Sequence, residues 1–338
     1  FFSSRRRHTR SSNVTGVQTC ALPILLNGEA TGEARALLSS AKLVALRKPN
    51  GKLRPIAMGD ALRKLAMTLL CKVHREEFDG FIAREGRIYP ASQDIFKDDP
   101  NRLMRLFQHC QVRNLKLSPQ IRRLIASHWE DIDRPFRYSK ANREVFQAIL
   151  ERKGDAARAL RQMHRIGFLG RYLPEFGALD CLVQHEFFHR YTADEHTLRC
   201  VEQLDQLIAE TNPRREIYRR LFLEIQDSYA LYLAVILHDT GRAENVREHI
   251  DGSAMLAARL CNRLQIKGAR RSLIMFLVDN HLSFWRTATT RNLDDPEVIA
   301  EFANVVKTPS NLDALFLFTF ADSNATSPEG WTGWKESL

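Results

Sequence analysis

Residues 79–338 of this 338-residue chain predict an all-α fold. Three observations carry that expectation: glycine and proline are sparse there, apolar residues recur at a period near 3.6, and strand-like alternation is almost absent. The front of the chain does not share the pattern, and its segments are read first.

Residues 1–24, "FFSSRRRHTRSSNVTGVQTCALPI", fit neither strand nor helix and lack the apolar core of a signal peptide. Arg5, Arg6, Arg7 and Arg10 form a basic cluster of the kind found in disordered tails. The eleven residues "VTGVQTCALPI" resemble the translation of a sequencing-library adapter, so 1–24 is set aside from fold reasoning as disordered and adapter-derived. Residues 43–70, "LVALRKPNGKLRPIAMGDALRKLAMTLL", predict an extended stretch, a turn at Pro49, Asn50 and Gly51, a basic strand and an amphipathic helix. This resembles the fingers of a reverse transcriptase, with Lys48, Lys52 and Arg54 at its basic positions. The paired metal-binding aspartates of a polymerase do not follow, which excludes a working one. Residues 25–78 are therefore expected to be a short α/β-like fragment that does not fold by itself. Adapter, polymerase fragment and a third, unrelated body form the pattern of a chimeric assembly with its junction between about 71 and 80.

The helices of the body follow in order. "KDDPNRLMRLFQHCQ" places Leu103, Leu106 and Phe107 on one face, with Asp98, Asp99 and Pro100 in the expected first turn. "SPQIRRLIASHW" and "NREVFQAILERKG" are amphipathic, the second stopped by Gly154, and "DAARALRQMHRIGFLGRYLPEFG" continues the theme. In "HRYTADEHTLRCVEQLDQLI", Leu198, Val201, Leu204 and Ile208 form a core stripe, with His196 near the helix start. "YALYLAVILHDTGRA" is an apolar helix that delivers His238 and Asp239 at its end and is expected to stop at Gly241. "REHIDGSAMLAARLCNRL" opens on His249, "RRSLIMFLVDNHLSFW" carries His281 after an apolar run, and "LDALFLFTFADSNATS" brings Asp322 to the end of another buried helix.

Composition narrows the function classes. The net charge of +10 is not spread evenly: residues 1–24 hold four arginines and no acid, and 25–78 hold ten bases against five acids. Residues 79–338 carry 36 bases against 35 acids, so a nucleic-acid reading rests on the front end alone. The six cysteines are far apart with no C-x-x-C pair, which suggests neither a zinc ribbon nor a disulfide framework and fits a reducing cytoplasm. No apolar run approaches the roughly 18 residues that span a bilayer.

Six of the eleven histidines fall between 185 and 281. Most of His196, His238, Asp239, His249, His281 and Asp322 stand at ends of helices with apolar bodies, so they can face one cavity at the end of a bundle. A buried carboxylate or imidazole without a partner costs several kcal/mol, and a metal ion can be that partner. Mixed imidazole and carboxylate donors suit Mn, Mg, Zn or Fe. His164, His185 and His189 lie outside the set and read as structural or surface residues.

The order H…HD…H…H…D resembles the signature of the HD metal-dependent phosphohydrolases. "MHRIGFLGRYLPEFG", "HRYTADEHTLR", "LHDTGRA", "NLDDPEVIAEFANVV" and "FTFADSNATSPEGWTGWKESL" further resemble the central part of the bifunctional uridylyltransferase/uridylyl-removing family. The resemblance implies a helical linker over 79–180 and a C-terminally truncated HD domain over 181–338. The transferase motif is missing, and the ACT domains of that family would lie beyond Leu338.

What the resemblance implies is hydrolysis of the phosphodiester between UMP and a tyrosine of the PII signalling protein. One or two divalent ions, Mn or Mg before Zn or Fe, would be held by His196, His238, Asp239 and Asp322. His249 and His281 match additional histidines of the family that hold a second metal or contact phosphate, and Asp239 can also bridge two ions or orient the nucleophile. Arg242 stands where the family often has lysine ("HDIAKG" against "HDTGRA"), keeping the charge but unable to donate a proton at neutral pH. His249 is displaced by one residue from the common arrangement. The alternatives left open are an HD phosphohydrolase for another nucleotide, an inactive fragment, and a nucleic-acid binder led by the front end.

Overall fold

The structure, a computed structural model, describes residues 43–47, 53–57, 76–183, 191–243 and 249–326. The chain divides into two compact units between Tyr89 and Pro90. In the first, β1 (Leu43–Arg47) pairs antiparallel with β2 (Leu53–Ala57), Leu43 opposite Ala57 and Arg47 opposite Leu53. That is the extended pair expected from the sequence. The turn at 49–51, Lys48, Lys52, the helix expected after 58 and the adapter-like residues 1–24 lie outside the described residues.

The all-α expectation from residue 79 fails over its first dozen residues. β3 (Glu76–Phe78), β4 (Phe81–Arg84) and β5 (Arg87–Pro90) lie side by side, with Phe78 opposite Phe81. The cause is local. Asp79 and Gly80 have φ of 50° and 78°, and Glu85 and Gly86 have 51° and 67°. Two consecutive left-handed residues form the turn whose twist matches that of the flanking strands, and Asp-Gly is a strong signal for it. Each strand is too short to register in a window long enough to detect helical periodicity.

The second unit is helical apart from a two-residue strand, Lys116–Leu117. It opens with α1 (Ile95–Asp98) and α2 (Arg102–Val112), which buries Leu103, Leu106 and Phe107 as expected. Helix α2 starts later than the sequence suggests: Asp99 lies before it, accepts from the Asn101 N–H at 3.0 Å and pairs with Arg105 at 2.7 Å. Ser118 caps α3 (Pro119–Ala126) and Asp133 caps α4 (Arg134–Tyr138), each accepting from a backbone N–H three residues on. α5 (Lys140–Glu151) is followed by Gly154 at φ 78°. α6 (Ala156–Arg165) is separated by Gly167, at φ 76°, from α7 (Phe168–Tyr172) and α8 (Pro174–Gly177).

Then come α9 (Ala193–Gln206), α10 (Glu216–Glu224), α11 (Ser228–Leu237), α12 (His249–Arg263), α13 (Gly268–Asn280), α14 (Ser283–Thr290), α15 (Pro296–Val306) and α16 (Pro309–Thr326). Leu198, Val201 and Leu204 are buried on α9, but Ile208 is 38% exposed. A 3-10 turn over Leu207–Ala209 changes the phase of the stripe, and Leu207 takes the inward place.

Every residue of α11 is buried. A helix apolar all round belongs at the centre of a bundle, and α11 packs against α5, α9, α13 and α16, while α9 runs along α16. Whatever follows its last turn is delivered into the interior. Among the described residues no helix is long and apolar enough to cross a membrane.

Candidate metal centre

A helix leaves its last carbonyls without intrahelical partners. At the ends of α11 and α13 a histidine meets that need in the same way. His238 Nδ1 donates to the Val235 carbonyl at 2.7 Å, and His281 Nδ1 donates to the Val278 carbonyl at 2.8 Å. A carbonyl only accepts, so Nδ1 carries the proton in both rings and Nε2 presents its lone pair, the tautomer that ligates metal. The two rings lie 5.3 Å apart between centroids, with Phe318 against both. His238 Nε2 is buried with no hydrogen-bond partner and stands 3.4 Å from Asp239 Oδ2 and 3.7 Å from Asp322 Oδ1.

The other half of the cluster comes from α9 and α16. His196, in the first turn of α9, lies 2.9 Å through Nε2 from Asp322 Oδ1, and its ring is 5.6 Å from that of His238. One turn further on, Cys200 Sγ is 3.6 Å from the same Nε2. His196, His238 and Asp239 form one set of converging donor atoms, and His196, Cys200 and Asp322 form another, each within 4.8 Å. His196, His238, Asp239 and His281 are each about 1% exposed, while the Asp322 side chain keeps 21%.

Charge is balanced inside this pocket. Burial opposes ionisation of Asp239, but His238, Arg242, His196 and His281 outweigh it and hold the carboxyl well below the usual range. Burial acts on Asp322 in the same sense, and the His196 hydrogen bond with the nearby His238 holds it at about 2. Burial and the neighbouring His238 push His281 down to about 4. For His196, burial is outweighed by Cys200 and Asp322, which raise it well above 6.5. Complete burial pushes the Cys200 thiol up, so it carries no charge at neutral pH and Asp322 is the group that holds the His196 proton.

Arg242 Nε lies 2.7 Å from Asp239 Oδ1. It sits in a 3-10 turn, Thr240–Ala243, which replaces the expected stop at Gly241. Gly241 has no positive φ; its N–H donates to Ser253 Oγ at 2.9 Å, tying the turn to α12. His249 is the first residue of α12, and its side chain lies outside the described residues, as do His185 and His189. His164 lies apart from the cluster, with Nε2 3.0 Å from Asp194 Oδ2 and Nδ1 3.7 Å from Asp180 Oδ1. The sequence reading missed Cys200, whose only signal was its position four residues after His196.

Residues 81–172 match the family model of the uridylyltransferase GlnD third domain. The chain is 34% identical over 263 residues to the bifunctional uridylyltransferase/uridylyl-removing enzyme of Pseudomonas putida, covering 76% of this chain and 29% of that one. To the enzyme of the same name from Thiobacillus denitrificans it is 35% identical over 265 residues, covering 77% and 31%. It thus spans about three tenths of the length of these relatives. Among solved structures it is similar to a CCA-adding enzyme with CTP, at TM-score 0.45 and 15% identity over 90% of this chain and 68% of that one. The Thermotoga maritima CCA-adding enzyme complexed with tRNA gives TM-score 0.45 at 14% identity over the same shares. A likeness at that level says nothing about activity.

Proposed function

We propose that the helical body of this chain is an HD-type, metal-dependent phosphodiesterase that removes UMP from a tyrosine of uridylylated PII protein in the cytoplasm. The observation that supports it most is the convergence of His196, His238, Asp239 and Asp322, from three helices, around the buried Nε2 of His238. The similarity to uridylyl-removing enzymes supports the substrate.

The donor set fits a divalent ion: two carboxylates and two imidazoles, one of which presents a buried nitrogen with its lone pair. His196, His238, Asp239 and Asp322 would hold such an ion, which would supply Lewis acidity to activate water near neutral pH. To hold it, His196 would give up the proton it shares with Asp322.

The remaining steps fall to the protein. Arg242 offsets the charge of Asp239 and offers further N–H donors to a phosphoryl oxygen. His281, neutral above about pH 4 and held through Nδ1 by the Val278 carbonyl, can orient the attacking water by accepting a hydrogen bond at Nε2. Water adds to phosphorus, the bond from phosphorus to the tyrosyl oxygen breaks, and the departing phenolate takes a proton from solvent, leaving UMP and the unmodified tyrosine side chain of PII. A phenol of ordinary pKa, about 10, departs with little acid assistance, so an arginine that donates no proton is compatible with the reaction at position 242.

The test is UMP release from uridylylated PII by the full chain with Mn²⁺, beside Asp239→Ala. Release by the parent and not by the variant is expected. A parent that is folded and binds Mn²⁺ but releases no UMP overturns the substrate assignment.

A further inference from the structure

Cys200 is fully buried one helical turn from His196, and its sulfur lies 3.6 Å from His196 Nε2. A buried free cysteine is ordinarily a small apolar side chain. Cys110 and Cys261 are buried too, but among the described residues neither belongs to a set of converging donor atoms, whereas Cys200 does.

The spacing has a chemical meaning. Zinc binds sulfur at about 2.3 Å and imidazole nitrogen at about 2.0–2.1 Å, and at a tetrahedral angle those bonds place sulfur and nitrogen about 3.6 Å apart. Asp322 Oδ1 is 2.9 Å from His196 Nε2 and 3.7 Å from His238 Nε2, and it forms with His196 and the Cys200 sulfur one set of donor atoms within 4.8 Å of one another. His238 Nε2, 1% exposed as a residue and without a hydrogen-bond partner, belongs with His196 and Asp239 to the adjoining donor set, which shares His196 with the set that holds Cys200.

We propose that Cys200 is a further ligand of this centre, making it a mixed nitrogen, oxygen and sulfur site that takes Zn²⁺ in preference to Mg²⁺ or Mn²⁺. The inference rests on the metal-centre reading above and narrows its choice of ion. On binding, the S–H bond gives way to a sulfur–metal bond and the thiol proton leaves to solvent. Thiolate favours soft or borderline ions over hard ones, so the residue acts on ion selection.

The experiment uses the full chain, stripped with a chelator and titrated with Co²⁺ as a spectroscopic stand-in for Zn²⁺. Cys200→Ala and Cys200→Ser are run alongside, with circular dichroism to establish that one of them folds. The parent is expected to give a near-ultraviolet sulfur-to-cobalt charge-transfer band that saturates with the bound ion. Both variants should bind Co²⁺ without the band, and Zn²⁺ affinity should fall at least about tenfold while Mn²⁺ affinity is unchanged. Co²⁺ bound by the parent without the band, or Zn²⁺ affinity unchanged in a folded variant, overturns the assignment of Cys200 alone. If the parent binds neither Co²⁺ nor Zn²⁺, the metal centre itself falls, and the ligand with it.

Discussion

His196 and Asp322 are 126 positions apart in the chain and meet at 2.9 Å. One lies in the first turn of α9 and the other near the end of α16, and the contact exists because those helices run along each other. Their pairing brings two carboxylates and three imidazoles to one end of a central apolar helix.

Such a pocket should be stabilised by the ion it holds. An ion at 100 times its dissociation constant adds about 2.7 kcal/mol to folding stability. Thermal melts with and without Mn²⁺ or Zn²⁺ should show that rise, EDTA should reverse it, and His238→Ala should abolish it. Equal melts in all four conditions would count against the centre.

Arg242 touches Asp239 rather than standing among the convergent donors. Arg242→Gln should lower metal affinity or UMP release by about 10–100-fold, as loss of an outer partner commonly does. Arg242→Lys should retain more activity because it keeps the charge. Steady-state rates with measured ion affinities for the three proteins check this order.

Helices α7 and α8 approach through glycine. A Cβ on Gly170 would sit 2.9 Å from Gly177 Cα, and one on Gly177 would sit 2.7 Å from the Gly170 carbonyl oxygen. Backbone cannot swing aside as a side chain can, so Gly170→Ala and Gly177→Ala should each cost about 1–3 kcal/mol. Urea midpoints at constant m-value measure it.

Two buried groups tilt stability in opposite directions with pH. His281 is lowered from 6.5 to about 4, so the unfolded chain binds the extra proton between those values and stability is lost as pH falls through that window. Asp205 is raised from 3.8 to about 7, chiefly by burial that outweighs hydrogen bonds from the Tyr232 hydroxyl and the Ala157 N–H. For it the folded chain binds the extra proton, and stability is lost as pH rises from 3.8 to 7.

Each effect is on the order of 3 kcal/mol, and the two oppose one another between pH 4 and 6.5. In metal-free protein, Asp205→Asn should lose stability as pH falls across that window, and His281→Gln should lose it as pH rises. Denaturant unfolding at half-unit pH steps reads the slopes, and slopes unchanged from the parent would refute the assignment.

The helical body and the helix ends that carry His238, Asp239, His281 and Asp322 were legible from residue order. Helical periodicity is a local property, and a long apolar run followed by a polar pair marks its own end. The hairpins at Asp79–Gly80 and Glu85–Gly86 were equally local and were overlooked, because a signal of two residues is lost in a window meant for helices. Ile208 was misplaced because a 3-10 turn changed the phase at Leu207.

Only the tertiary structure decided which donors meet and through which atoms. The rotation of α9 against α16 sets His196 Nε2 on Asp322 and brings the Cys200 sulfur to the same nitrogen. The carbonyls at the ends of α11 and α13 decide that His238 and His281 carry their protons on Nδ1. A sequence fixes the period of a helix, but the face it turns to its neighbours depends on how all the side chains between them pack at once.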